Sequence, residues 1–162
     1  MELMSVTIEL PSKVVECLVK KSRELDVSLE NLAIEAILSH FEIDDPEVIW
    51  EVHTKLSEKY LTEGEELLRR GNYVQSSEKF WGAASQALKA VAAKRGERLR
   101  SHRELHGFLA KLVEETGDTE LRRLWQSAGM LHQNFYENWL PPSMVKGNVE
   151  DVKTFVKKLR AL

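Results

Sequence analysis

Apolar side chains recur at every third or fourth position over most of the chain, which is the spacing of an amphipathic α-helix. Two such stripes precede residue 42 and five follow residue 46. Glycine and proline interrupt the later stripes at Gly71, Gly96, Gly117 and Pro141, where we expect one helix to end and the next to begin. Short connections favour antiparallel neighbours, so residues 46–162 are predicted to form an all-α, antiparallel helical bundle.

The first ten residues follow a different pattern from the rest of the chain. Residues 5–10 alternate between polar and apolar side chains, and Val6, Ile8 and Leu10 would share one face of a half-buried β-strand. Pro11 ends the alternation and suits the first turn of a helix. An isolated strand leaves backbone groups unpaired at both edges. We therefore expect a short strand at 5–10 that pairs with a second copy, which would make the protein a homodimer or a higher oligomer.

Two short helices are predicted between this strand and the bundle, so that residues 1–42 form an arm of one strand and two helices. Ser28 is a good N-cap for the second of these helices. Cys17, the sole cysteine, lies beside the apolar stripe of the first helix, and we interpret it as a small core residue. A single cysteine also excludes an internal disulfide. The acidic stretch that follows is predicted to contain a linker at residues 42–45, which separates the arm from the bundle.

Polar residues mark two helix starts inside the bundle. Ser101 and Glu104 have the spacing of a capping box, in which the serine side chain accepts from the backbone N–H of the glutamate and the glutamate side chain accepts from that of the serine. Asn148 precedes the last apolar stripe, and we predict that it caps the terminal helix.

Composition and charge narrow the classes of function. The chain has 162 residues and a formal net charge of −3 at pH 7, so it lacks the general positive charge of a protein that coats nucleic acid. No early apolar run is long enough for a signal peptide, and none could span a membrane. The expected location is therefore the cytoplasm, with no membrane contact, and no cofactor is expected.

The densest polar cluster falls on the predicted helix that contains LHQNFYEN. It consists of His132, Asn134, Tyr136 and Glu137, and tryptophans lie two turns to either side of it. An imidazole held between aromatic rings and near a carboxylate can bind a nucleobase or act as a general base. The alternative is a buried polar network that fixes how the helices pack.

Two further sets of residues near residue 100 carry candidate chemistry. His102 and His106 are one helical turn apart, a spacing compatible with a metal pair, but no third ligand has predictable geometry and we assign no metal. A basic run surrounds the loop and helix start beside them, where free backbone N–H groups favour anions. The members of this run are Lys94, Arg95, Arg98, Arg100 and Arg103. The run either binds phosphate or an RNA backbone, or is a solvated loop.

The N-terminal arm, TIELPSKVVECLVKKSRELDVSLENLAIEAIL, resembles a ribbon-helix-helix module. The resemblance implies a dimer in which two strands pair and present their outward side chains to the DNA major groove. Those side chains would be Ser5, Thr7 and Glu9, whereas base-reading strands usually carry Arg, Lys, Gln or Asn. DNA phosphates would also repel Glu9. We therefore expect the arm to mediate assembly, and DNA binding is not expected.

The bundle resembles another family in the segments GNYVQSSEKFWGAASQALKAVAAKRG, SHRELHGFL and LHQNFYENWL. They are similar to the archaeal PaREP family of HEPN-like helical bundles, over about residues 55–160. The resemblance implies an antiparallel, usually dimeric bundle without a settled biochemical activity. Many HEPN proteins are ribonucleases or nucleotide binders, and the ribonucleases carry an Arg followed by a His on one late helix. Here His132 stands in place of that Arg, and Glu137 stands near the place of that His.

Three functions follow from these patterns. The preferred function is a non-catalytic HEPN-like binding or interaction module whose ligand is a nucleotide or an RNA. One alternative is a divergent HEPN ribonuclease of toxin–antitoxin type, which here lacks its Arg–His pair. The other is a ribbon-helix-helix regulator that binds DNA, which here lacks basic reading residues. We therefore expect binding without catalysis.

Overall fold

A computed structural model describes residues 4–162, and over this range the protein is all-α, as the sequence predicted. Its helices are α1 (Ser12–Leu25), α2 (Leu29–His40), α3 (Pro46–Arg69), α4 (Tyr73–Lys94), α5 (His102–Thr116), α6 (Glu120–Glu137) and α7 (Pro142–Arg160). The chain divides into two compact units between Ile43 and Asp44, with α1 and α2 in the first unit and α3 to α7 in the second. None of the helices within the described range has both the length and the apolar composition needed to cross a bilayer.

The predicted β-strand at residues 5–10 is wrong. Residues 4–10 have no regular secondary structure, and α1 begins directly after Pro11. Alternating side chains favour an extended backbone, but a strand also needs hydrogen bonds to a neighbouring strand. No other segment within residues 4–162 is a strand, so the extended chain has no partner of that kind. The apolar side chains of the alternation are exposed instead, with Val6 84% and Ile8 70% accessible.

The first unit contains a pair of short helices joined by a tight turn. Asp26 ends α1 in the left-handed conformation, at φ 53°, and the next N–H donates to the Ser22 carbonyl at 3.0 Å. Ser28 then caps α2, because its Oγ accepts from the Asn31 N–H at 3.0 Å, as predicted. Cys17 is exposed, so its interpretation as a core residue is wrong. Residues 1–3 of the predicted arm lie outside the described range.

The second unit is built around a hairpin of two long helices, α3 and α4. Glycines let these helices approach closely: an added Cβ on Gly64 would lie 2.8 Å from the ring of Phe80, and one on Gly82 would lie 3.0 Å from the ring of Tyr60. Ser76 Oγ adds a hydrogen bond across the hairpin by donating to the Gly64 carbonyl at 2.9 Å. The close packing of the two helices helps to bury α4 along most of its length. α4 therefore forms the centre of the bundle.

The hydrophobic core of the second unit lies between α4 and the helices α5, α6 and α7. Much of the α4 surface there is alanine, which allows the other helices to pack close to its backbone. Trp81 of α4 and Trp125 of α6 are both buried, and their ring centroids lie 4.9 Å apart. Phe155 of α7 packs against Trp125, with ring centroids 5.5 Å apart. These rings hold α4, α6 and α7 in fixed positions.

The terminal helix begins earlier than the sequence predicted. α7 starts at Pro142, so Asn148 lies inside the helix and its prediction as the N-cap is wrong. Proline suits a first helical turn because its missing N–H would have no partner there. Near the other end, Lys158 lies 2.8 Å from both Asp118 and Glu120, which ties α7 to the start of α6. The hydrogen bond from Lys158 lowers the pKa of Asp118 and in turn raises the pKa of Lys158.

Candidate ligand-binding site

His132 of α6 lies at the centre of a cluster of aromatic and polar side chains. Its ring stacks on Trp81 of α4, with centroids 4.7 Å apart and planes 23° from parallel. Its Nδ1 lies 3.0 Å from Oε2 of Glu78, which precedes Trp81 by one turn of α4. An ionised carboxylate only accepts hydrogen bonds, so Nδ1 of His132 carries the proton in this contact. The indole and the carboxylate together fix the orientation of the imidazole.

Two more rings border His132. Tyr136, one turn later on α6, meets it edge-on at 5.4 Å and is 59% exposed. His102, the first residue of α5, lies 5.3 Å from His132 and 5.6 Å from Trp81. We name the set Glu78, Trp81, His102, His132 and Tyr136 the histidine cluster. It combines a solvent-exposed tyrosine with two imidazoles and one carboxylate.

Asn134, a predicted binding residue, serves the connection between α6 and α7. It is fully buried, and its Nδ2 donates to Ser77 Oγ at 3.0 Å. Its Oδ1 accepts from the backbone N–H groups of Trp139, at 3.0 Å, and Leu140, at 2.8 Å. The side chain therefore fixes the turn after α6 and does not present its amide to solvent.

The carboxylate beside His132 comes from α4, whereas the sequence drew attention to Glu137 of α6. Glu137 is exposed at the last residue of α6, and the structure brings Glu78 to the imidazole instead. Sequence reasoning missed Glu78 and Trp81 as site residues because Glu78 is 54 positions from His132. The only local signal was their spacing of three, which places a carboxylate and an indole on one face of α4.

The two histidines of α5 have different neighbours. His106 is exposed and accepts on Nδ1 from Trp125 Nε1 at 2.8 Å. An indole N–H can only donate, so the proton of a neutral His106 is on Nε2. His102 instead contacts the rings of Trp81 and His132. The spacing of one turn therefore brings the two imidazoles to separate sets of contacts.

The predicted capping box at the start of α5 forms in one of its two bonds, and its second bond is shifted by one residue. Ser101 Oγ accepts from the Glu104 N–H at 3.1 Å, which confirms Ser101 as the N-cap. Glu104 Oε2 in turn accepts from the Arg100 N–H at 2.7 Å, one residue before the N-cap. These bonds fix the start of the helix, where its first residue, His102, contacts the rings of Trp81 and His132.

The basic run before α5 is partly neutralised. Arg95 pairs with Glu115 of α5, and Arg98 is half-buried. Arg100 and Arg103 are exposed and form no ion pair with any other residue in the range 4–162. These two unpaired positive charges lie on either side of His102 in the sequence, and His102 is the first residue of α5.

Comparisons with known proteins agree with an all-helical second unit. The model of the archaeal PaREP1/PaREP8 family matches residues 52–156, a range that contains the whole histidine cluster. The chain is also similar to a protein from Sulfolobus solfataricus whose crystal structure is known, with 31% sequence identity and a TM-score of 0.58. That similarity covers 65% of this chain and 94% of the other. No curated protein matches the chain significantly.

Proposed function

The chain belongs to the archaeal PaREP1/PaREP8 family, and from this premise we propose that it is a non-catalytic, HEPN-like helical module that binds a nucleotide, free or within single-stranded RNA. The binding site in this proposal is the histidine cluster. The base lies against Tyr136 and His132, and the phosphate lies toward the start of α5.

The observation that carries this proposal is the fixed imidazole of His132 beside an exposed tyrosine. Trp81 and Glu78 hold the imidazole in one orientation, so little rotational freedom is lost when a ligand binds. Stacking of a base on an aromatic side chain contributes about 1–3 kcal/mol. Tyr136 offers such a face, one helical turn from His132.

The positive charge near the start of α5 suits the phosphate of the same ligand. Lys111 and Arg95 are paired with carboxylates, whereas Arg100 and Arg103 are not paired within residues 4–162. The free backbone N–H groups at a helix start add further attraction for an anion. In this proposal the two arginines supply most of the electrostatic affinity.

The same geometry argues against cleavage. Glu78 places negative charge next to His132, where a scissile phosphate would have to approach. The arginines of α6, Arg122 and Arg123, lie near its N-terminal end, more than two turns before His132. In this proposal α6 corresponds to the late helix that carries the Arg and the His in HEPN ribonucleases. Near His132, α6 has no cation to stabilise the negative charge that develops on the phosphate during cleavage.

Binding can be measured by fluorescence anisotropy with a labelled single-stranded RNA and by calorimetry with ATP and GTP. We expect the wild type to bind, and Tyr136→Ala to weaken binding about ten-fold through the loss of one stacking contact. Trp139→Ala is the matched control, because Trp139 is an equally exposed aromatic outside the histidine cluster. Replacing Arg100 and Arg103 by Gln should also reduce the salt dependence of RNA binding. The proposal would be refuted if the wild type bound none of the three probes, the RNA, ATP and GTP.

A divergent ribonuclease is the second candidate function, and one observation favours it. His102 and His132 lie 5.3 Å apart, which brings two imidazoles close enough to act as an acid and a base on one substrate. This candidate requires RNA cleavage that is lost in both His102→Ala and His132→Ala.

We further propose that the N-terminal arm holds two copies of the chain together and does not read DNA. Its exposed apolar side chains, Val6, Ile8 and Leu10, form a surface that a monomer would leave in water. The polar residues between them, Thr7 and Glu9, lack the donors that usually read bases.

A further inference from the structure

A second concave surface lies between α5 and α6, apart from the proposed nucleotide site. It is an open groove with a volume of about 660 Å³, which is within the range of small-molecule sites. Leu109 and Val113 of α5 and Trp125 and Met130 of α6 give it a largely apolar lining. An added Cβ on Gly129 would meet nothing within 4 Å, so the missing side chain keeps this part of the groove open.

The polar side chains of the groove are those of one arginine, one histidine, one glutamate and the two glutamines Gln126 and Gln133. Arg122 of α6 is exposed and forms no ion pair with any residue of the range 4–162. His106 lines the groove as well, and its bond from Trp125 leaves the proton on Nε2. Glu114 of α5 is the one carboxylate in the lining, and it too lacks an ion-pair partner within the described residues.

We propose that this groove binds a small organic anion with an apolar body of about two rings. The apolar body packs against Trp125 and fills the open space beside Gly129. The anionic group lies against Arg122. The charge of Arg122 complements an anion, whereas the carboxylate of Glu114 opposes it. Because Arg122 lies in the first turn of α6, the anionic group is at the end of the groove next to the α5–α6 connection.

The fluorescent dye 8-anilino-1-naphthalenesulfonate has this chemistry and serves as the probe on the full chain. We expect one dye per chain and about five-fold weaker binding for Arg122→Gln, because a partly solvated ionic contact is lost. Glu114→Gln should strengthen binding, since it removes the repelling carboxylate. Arg123→Gln is the control for loss of charge: Arg123 is the neighbouring arginine, pairs with Glu120 and lies outside the groove lining. N-Phenyl-1-naphthylamine, which has the same rings without the sulfonate, should bind wild type and Arg122→Gln equally.

Filling the groove tests the position of the apolar body. Gly129→Leu should abolish dye binding, while Gly147→Leu on α7, which also has open space at its Cβ, should leave binding unchanged. Thermal melting of both variants checks that they fold. Dye binding that is insensitive to Arg122→Gln and Gly129→Leu would overturn the proposal. A change in oligomeric mass on Gly129→Leu would also overturn it, because the groove would then be a contact between copies of the chain.

Discussion

At the scale of single residues, Asn134 illustrates a polar side chain that is structural although it neighbours a candidate site. Removing it should destabilise the protein, because Asn134→Ala leaves two backbone N–H groups and Ser77 Oγ without their present partner. A buried group that loses its partner costs about 1–3 kcal/mol. Urea unfolding followed by circular dichroism measures this loss.

The control is the neighbouring exposed residue Gln133. Gln133→Ala should change the free energy of unfolding by less than about 0.5 kcal/mol. Equal stabilities of the two variants would show that the Asn134 bonds contribute nothing to the connection between α6 and α7.

Residue roles with local causes could be predicted from the sequence, and roles with distant causes could not. Ser28 and Ser101 were predicted as N-caps because a cap depends on atoms within three residues. His132 stood out through its own helix, but its carboxylate partner Glu78 is on α4. Only the packing of α4 against α6 brings the two together, and no pattern within either helix specifies that pairing.

At the scale of secondary-structure elements, the α3–α4 hairpin depends on a close approach at Gly64. A methyl group at this position would lie 2.8 Å from the ring of Phe80, which is fully buried and cannot move aside. Overpacking costs about 1–3 kcal/mol, which exceeds the gain in helix propensity of about 0.5–1 kcal/mol for Gly to Ala. Gly64→Ala should therefore lower the free energy of unfolding.

Gly147→Ala provides the matched comparison in a helix. The added methyl group on α7 meets nothing within 4 Å, so only the helix propensity changes and stability should rise by about 0.5–1 kcal/mol. Denaturant unfolding of both variants tests the pair. A stabilising effect of Gly64→Ala would mean that the two helices are not held at this distance.

Helices could be predicted where the apolar periodicity and the glycine or proline positions indicated the same boundaries. Errors occurred where a single pattern was interpreted without support from a second one. The left-handed glycines Gly71, Gly96 and Gly117 end or follow helices as their positions indicated. Asn148 resembled a cap, but Pro142 had already started α7. The alternation at residues 5–10 predicted a strand, although a strand also requires a partner that a sequence pattern cannot supply.

At the scale of the whole molecule, the exposed apolar residues of the arm lead to a prediction about assembly. Light scattering should give the mass of a dimer for the wild type and that of a monomer for the Val6→Ser/Ile8→Ser variant, because the apolar surface that the second copy covers is lost. Thr7→Ser, a change between these two residues, should remain dimeric. A monomeric wild type would contradict this route of assembly.

Binding and cleavage of RNA can be separated in one experiment, since we propose that the histidine cluster binds a nucleotide without cleaving RNA. The most direct measurement incubates the protein with an RNA that carries a fluorophore and a quencher, and follows anisotropy and dequenching in the same sample. We expect a rise in anisotropy that Tyr136→Ala reduces, with no dequenching beyond the rate in buffer. Dequenching by the wild type that disappears in a folded His132→Ala variant would contradict the claim.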